Sequence, residues 1–337
     1  MLSARQHRAL QQRFHRLGYH RTGPRVDVSR LAGKPAPPSG DNWPVPPEES
    51  ERLLAHAPFE LLSAEATSEG VAGARKAEVL FPSDGRRLRV KWKVAPQGTC
   101  DGWNNNPRKE IACYAVQRWF LDATDYVVPT VALRGIPLDG YRRIDPKATP
   151  TIDGTDCVIG VLALWLQHAK PPDRLYDPER FLSDQAYAYH LSNLNVLTYL
   201  VDHRDGRKGN FLAADDESNR RGFAIDNGIS FGSWIWNFLT TNWNIFRVPA
   251  IRRTVVERLR GVDAARLGAL GWLAELWTDA DGGMCLVEAT KPIDPSRGAR
   301  VEPGRVQLGL TTAEISGVAE RIAMLLDDVA RGALAVF

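Results

Sequence analysis

Cysteine is scarce in this chain. The 337 residues include four, Cys100, Cys113, Cys157 and Cys285, and no two of them form a C-x-x-C pair. That excludes the zinc sites built on such pairs, and the pattern predicts reduced thiols of a reducing compartment. Long hydrophobic runs are also missing: nothing approaches the roughly 18 apolar residues of a membrane helix. The first residues lack a signal-peptide core, since Leu10 to Leu17 is broken by Gln11, Gln12, Arg13, His15 and Arg16. The sequence therefore reads as soluble and cytoplasmic. No Gly-rich loop ending in Lys-Ser/Thr, no H-E-x-x-H and no G-x-S-x-G occurs, which removes P-loop, zincin and α/β-hydrolase chemistry. The net charge is only +3, so no nucleic-acid partner is expected. Internal repeats are absent.

What remains is an ordinary globular balance, 44% hydrophobic and 25% charged, enough for one large domain or two lobes around a cleft. The basic residues are uneven. Arg5, Arg8, Arg13, Arg16, Arg21, Arg25, Arg30 and Lys34 face a single acid, Asp27, within the first 34 residues. Residues 1–18 read as a solvated basic arm, with peripheral contact to an anionic surface as the sharper alternative. Residues 34–47 are dense in proline and read as an extended strap, followed by a short helix over 48–57.

A strand-rich region comes next. Residues 77–81 are apolar, Pro82-Ser83-Asp84-Gly85 signals a turn, and 88–94 alternates Leu88, Val90, Trp92 and Val94 with Arg89, Lys91 and Lys93. That period of two predicts a strand, and the two runs together a hairpin. Pro107 opens a helix to about residue 121, with Glu110 in its first turn. Strands are predicted over 127–133 and 157–166. Beyond Pro171-Pro172 the pattern turns helical: a long helix over 184–201, short strands over 211–214 and 222–225, an aromatic-rich stretch over 234–259, and a final helix from a capping box at Thr311 to about Ala330. The aromatics of 234–259 read as core packing. His168 and His190 read as structural histidines. The fold expected is α+β, with residues 1–60 as arm, linker and short helix, 61–168 as a small sheet lobe with one helix, and 169–337 as a larger, mainly helical lobe.

The stretch from Leu200 to Phe231 carries the chemistry. A long helix ends, His203-Arg204-Asp205 follows, and Asn210 stands five residues after Asp205. A hairpin then delivers Asp226 into Asn227-Gly228. Two carboxylates and an amide oxygen gathered at the mouth of a cleft are hard ligands suited to Mg²⁺, which takes one or two carboxylates plus substrate phosphates.

His203-Arg204-Asp205 with Asn210 resembles the HRDxxxxN catalytic loop of protein kinases. The Ile-Asp-Asn-Gly segment, in place of Asp-Phe-Gly, is similar to the atypical branch of that superfamily: type II phosphatidylinositol 4-kinases, secretory-pathway (Four-jointed-type) casein kinases and HipA-type bacterial kinases. The run from Arg108 to Tyr114 resembles their glutamate-bearing helix, and Val90-Lys91-Trp92-Lys93 their lysine-bearing strand. The resemblance covers roughly residues 77–231. It implies a bilobal kinase-like fold and an ATP- and metal-dependent phosphotransferase acting on a hydroxyl of a protein, lipid or small molecule. Asp205 would accept the acceptor's proton, Lys93 would contact the ATP phosphates, and Glu110 would pair with that lysine. Asn210 and Asp226 would bind Mg²⁺ or Mn²⁺. The strand through Leu164 and Leu166 would pack on adenine, and Gly73 would belong to the phosphate-covering loop. Lys91 competes with Lys93 on the same strand face, with Lys93 preferred. A nucleotide-binding pseudokinase or scaffold, and transfer of AMP instead of phosphate, stay open beside this reading.

Overall fold

The computed structural model describes residues 27–35, 42–67, 73–102, 105–203, 208–232, 247–280, 282–289 and 291–337. The basic arm over 1–18, residues 36–41 of the proline strap, residues 68–72, Asp205 with its neighbours, and the aromatics of 234–246 lie outside them.

Five antiparallel strands form the main sheet, in the order β1-β2-β3-β5-β4. They are β1 (Glu60–Ala66), β2 (Arg75–Phe81), β3 (Arg86–Val94), β4 (Val131–Pro137) and β5 (Cys157–Leu164). The predicted hairpin is β2–β3. Its turn closes with the Gly85 amide donating to the Phe81 carbonyl at 2.9 Å, Gly85 taking the positive φ (70°) that glycine tolerates without strain. Alternation on β3 decides its two faces. Leu88, Val90 and Trp92 are buried against the core, while Arg89 is exposed and Lys91 half-buried on the other side. Helix α1 (Pro47–His56) sends Leu53 and Leu54 into that core. The indole N–H of the fully buried Trp92 donates to the Tyr141 hydroxyl at 3.2 Å.

Helix α2 (Pro107–Gln117) is inserted between β3 and β4 and is buried almost throughout. Helix α3 (Leu138–Arg142), which bears Tyr141, follows β4. The strand predicted over 127–133 is found four residues later. The Gln117 side chain explains the shift: its Oε1 accepts from the amides of Val127 (2.9 Å) and Val128 (2.8 Å), and its Nε2 donates to the Val128 carbonyl (2.9 Å). A side chain thus satisfies backbone groups that a neighbouring strand would otherwise take.

After β5 the chain crosses to a three-stranded sheet, β6 (Ala169–Lys170), β7 (Phe211–Ala214) and β8 (Gly222–Ala224). Helix α4 (Pro178–Ser183) precedes α5 (Gln185–Leu200), capped by Asp184, whose carboxylate accepts from the Tyr187 amide at 3.0 Å. Every residue of α5 from Tyr187 onward is buried, the mark of a helix enclosed on all sides rather than lying at a surface. Strand β9 (Ala250–Ile251), helices α6 (Arg253–Arg260) and α7 (Ala264–Ala269), and the long α8 (Thr312–Ala330) complete the helical part, with β14 (Ala335–Val336) pairing parallel to β9.

Between α7 and α8 lies a four-stranded antiparallel sheet that the sequence reading did not contain. Its order is β11-β10-β13-β12, from β10 (Ala274–Thr278), β11 (Met284–Val287), β12 (Ala299–Glu302) and β13 (Arg305–Leu308). It leans on β4: a Cβ at Gly135 would stand 3.0 Å from the Met284 carbonyl, and the Asp156 amide donates to the Gly282 carbonyl at 2.9 Å. The molecule is therefore α+β, with several antiparallel sheets and eight α-helices among the described residues. The four cysteines are unpaired; Cys100, Cys113 and Cys157 are buried and Cys285 is exposed. No helix among the described residues is long and apolar enough to cross a membrane.

Candidate functional site

Three elements bring charged side chains together. The free face of β3 presents Lys91 and Lys93, the first turn of α2 presents Glu110, and the end of β8 leads into Asp226. Lys93 Nζ stands 3.7 Å from Glu110 Oε1 and 3.4 Å from Asp226 Oδ1. Lys91 Nζ stands 3.4 Å from Asp226 Oδ2 and donates to the Ile225 carbonyl at 3.1 Å. Glu110 Oε2 accepts from the Asn227 amide at 3.0 Å. Lys93 and Glu110 are buried, their side chains 4% and 7% exposed, whereas the Asp226 side chain is 34% exposed. Asp226 is thus the most exposed member of the cluster.

Charge within the cluster sets its titration. Burial works against ionised Asp226, but Lys91 and Lys93 outweigh it and hold the carboxyl well below its ordinary range. Burial also dominates at Glu110, and with Asp226 beside it the nearby lysines do not fully compensate, so its pKa is raised. For Lys91, burial alone would favour the neutral amine; the pull of Asp226 and Glu110 is stronger, and its pKa is raised. Two ammonium groups facing two carboxyls form a cluster in which the exposed carboxylate stays charged.

The hairpin β7–β8 carries the remaining residues. Asn210 ends a single 3-10 turn, is buried, and its backbone carbonyl accepts from the Ile225 amide at 3.0 Å, which sets it beside Asp226 across the hairpin. His203 Nε2 donates to the Asp226 carbonyl at 3.0 Å and its ring lies 5.1 Å from that of Phe211. Asp205 falls outside the described residues. Asp226 and Asn210 supply hard oxygen donors of the kind Mg²⁺ or Mn²⁺ prefers. Two buried acceptors next to them, Glu110 Oε1 and Asn227 Oδ1, receive no hydrogen bond. The donor set therefore fits such a cation with substrate phosphates completing its shell, although among the described residues no three His, Cys, Asp or Glu side chains converge as a metal site.

The other residues singled out in the sequence are more scattered. Leu164 pairs with Val90, so its side chain lies on the core face of the sheet, and it is buried. Leu166 is buried too but borders a hollow of about 590 Å³ with Arg87, Arg89, Trp165 and His168. There Trp165 is 37% exposed and Lys76 Nζ lies 5.4 Å from the centre of its ring. Gly73 borders a separate hollow of about 270 Å³ with Val94 and Tyr141, on the face of β3 away from Lys93. His190 is a structural histidine: it is buried, and its Nε2 donates to Asn219 Oδ1 at 2.5 Å.

Helix α2 is held in place by a second charged cluster. Arg108 pairs with Glu314 at the start of α8 and, at 3.4 Å, with Asp101; Lys109 Nζ lies 4.0 Å from Glu314. Glu314 also accepts from the Thr311 amide at 2.9 Å, completing the predicted capping box. A Cβ on Gly298 would fall 2.1 Å from Arg108 Nε, so only glycine lets the backbone pass over that guanidinium.

Sequence reasoning did not anticipate the Asn227 amide, the Ile225 carbonyl or the His203 ring as parts of the site. The first two are backbone groups and leave no residue-type signal; His203 was visible only as the start of a motif. The sequence matches no family model and no curated protein.

Proposed function

We propose that this chain is an ATP- and divalent-metal-dependent phosphotransferase with a bilobal, protein-kinase-like arrangement, moving the γ-phosphate to a hydroxyl of a protein, lipid or small molecule. The observation that carries the reading is the buried Lys93–Glu110 pair reaching Asp226. A lysine on the third strand paired with a glutamate on the following helix, both facing a metal-binding carboxylate, is the arrangement protein kinases need for activity. The 1-2-3-5-4 sheet with one helix inserted before its fourth strand gives further support.

In this reading the small lobe spans 61–168 and the larger lobe 169–337. Glu110, fixed by the Asn227 amide, holds the Lys93 ammonium toward the nucleotide's phosphates. Asp226 remains ionised, the state a hard cation requires. Asn210 stands beside it as a second oxygen donor. Asp205 is assigned the acceptor's hydroxyl proton on its place in the His-Arg-Asp motif. A bound Mg²⁺ or Mn²⁺ would neutralise charge on the phosphates, which a loose, metaphosphate-like transition state demands.

Thermal shift with ATP and Mn²⁺, alongside mass spectrometry of candidate acceptors, tests this. Wild-type protein should be stabilised, Lys93→Met and Asp226→Asn should not, and Asp205→Asn should bind but not transfer. Absence of any nucleotide effect on the wild type would overturn the reading. Binding without transfer to any acceptor would favour a scaffold, and an adenylyl adduct would point to AMP transfer.

A further inference from the structure

Lys93 has a role in the reading above; Lys91 does not. Alternation along β3 puts both lysines on one face, and a lysine on a strand is ordinarily a solvated surface residue. Lys91 is not: its side chain is 18% exposed and engages two oxygens from consecutive residues, the Ile225 carbonyl at 3.1 Å and Asp226 Oδ2 at 3.4 Å. Its neighbour across the β2–β3 ladder behaves differently. Lys76, directly opposite Lys91, places its ammonium over the Trp165 ring. Convergence on Asp226 is therefore particular to Lys91 and Lys93, and is not a property of every lysine on that face.

A carboxylate and a backbone carbonyl are also what a hard divalent cation takes. The Lys93 ammonium lies 3.4 Å from Asp226 Oδ1 and 3.7 Å from Glu110, so in the phosphotransferase reading Oδ2 is the oxygen a metal would use. Lys91 stands on that oxygen. A divalent ion and an ammonium compete for it, because two cations a few ångströms apart in a part-buried site repel.

We propose that Lys91 is a built-in counter-cation that covers the metal-facing oxygen of Asp226 and withholds it from free divalent metal. Resting on the phosphotransferase reading, this has a consequence for binding order. Phosphates entering with their metal offer Lys91 a new anionic partner and draw it off the carboxylate. Metal and nucleotide then bind together, and metal alone binds poorly.

Electron paramagnetic resonance of Mn²⁺, titrated without nucleotide into the full-length protein, tests this. Wild type is expected to bind Mn²⁺ weakly. Lys91→Met should bind it at least about tenfold more tightly, and Lys91→Ala, which leaves room for water, should do the same if the methionine packs poorly. Adding Asp226→Asn to either variant should abolish the gain. Equal Mn²⁺ affinity in wild type and both Lys91 variants would overturn the proposal, as would a gain that survives Asp226→Asn. The outcome is independent of the phosphotransferase reading. An Asp226-dependent gain supports the counter-cation even in a protein that no nucleotide stabilises, and equal affinities refute it even in one that binds ATP.

Discussion

Replacing Glu314 by alanine strikes the glutamate-bearing helix from outside the site. Arg108 and Glu314 have side chains 7% and 13% exposed, so the substitution leaves a guanidinium buried, with Asp101 at 3.4 Å and the like charges of Lys109 and Arg300 nearby. Removing one member of a buried pair costs about 3–5 kcal/mol, and the capping box lost with the same carboxylate adds about 1 kcal/mol. At about 2 °C per kcal/mol, the low end suited to a long chain, Tm should fall by about 8–12 °C in calorimetry. Because Arg108 lies two residues before Glu110, stabilisation by ATP and Mn²⁺ should shrink as well. The double substitution Arg108→Met, Glu314→Met removes both charges and fills their space, so it should cost markedly less than Glu314→Ala alone, since apolar replacements of a whole buried pair are often neutral or better. A Glu314→Ala protein within about 1 kcal/mol of wild type would refute this account of how α2 is held, as would a double variant more damaged than the single one.

Two further outcomes are expected. A Cβ at Gly160 would lie 2.5 Å from the Trp92 ring and 2.7 Å from the Lys93 carbonyl; Gly160→Ala should therefore destabilise by about 1–3 kcal/mol through overpacking and weaken nucleotide binding by shifting the Lys93 strand, read by chemical denaturation and thermal shift. Burial, with Arg221 nearby, lowers the pKa of His190 to about 4. The folded state therefore refuses a proton that the unfolded chain accepts near pH 6.5, so stability is complete above that pH and is lost as pH falls toward 4, by about 3 kcal/mol in all; denaturation curves at pH 7 and pH 4.5 should show a steeper loss in wild type than in His190→Gln.

How far the sequence discloses this molecule depends on the kind of interaction. Strand β3 was legible because arginines and lysines alternate with Leu88, Val90 and Trp92, and helix α2 because Pro107 opens an apolar helical run. The same period of two could not decide between Lys91 and Lys93, since only the position of Glu110 on another element separates them. Strand β4 was misplaced because one side chain, Gln117, takes over the backbone of Val127 and Val128. The sheet from Ala274 to Leu308 was missed for a different reason. Its strands are four or five residues long, and its interior holds Glu275, Arg300 and Gln307, all buried. Glu275 accepts from Arg305 Nε and Gln307 Nε2, each at 2.6 Å, so a polar network replaces the apolar alternation by which strands are read. In the site, Asp226, Asn210 and Glu110 were legible as residue types, whereas the amide of Asn227 reaching Glu110 across 117 positions was not.

The Arg108–Glu314 pair also bears on how the protein is made. The partners are separated by 206 positions, and at about 5–20 residues per second a ribosome needs roughly 10–40 s to cover that distance. Through that interval the nascent sheet and its helix carry a guanidinium whose burial has no carboxylate from α8 to match it. The bracing of α2, the helix that carries Glu110, is therefore completed only once α8 has been made.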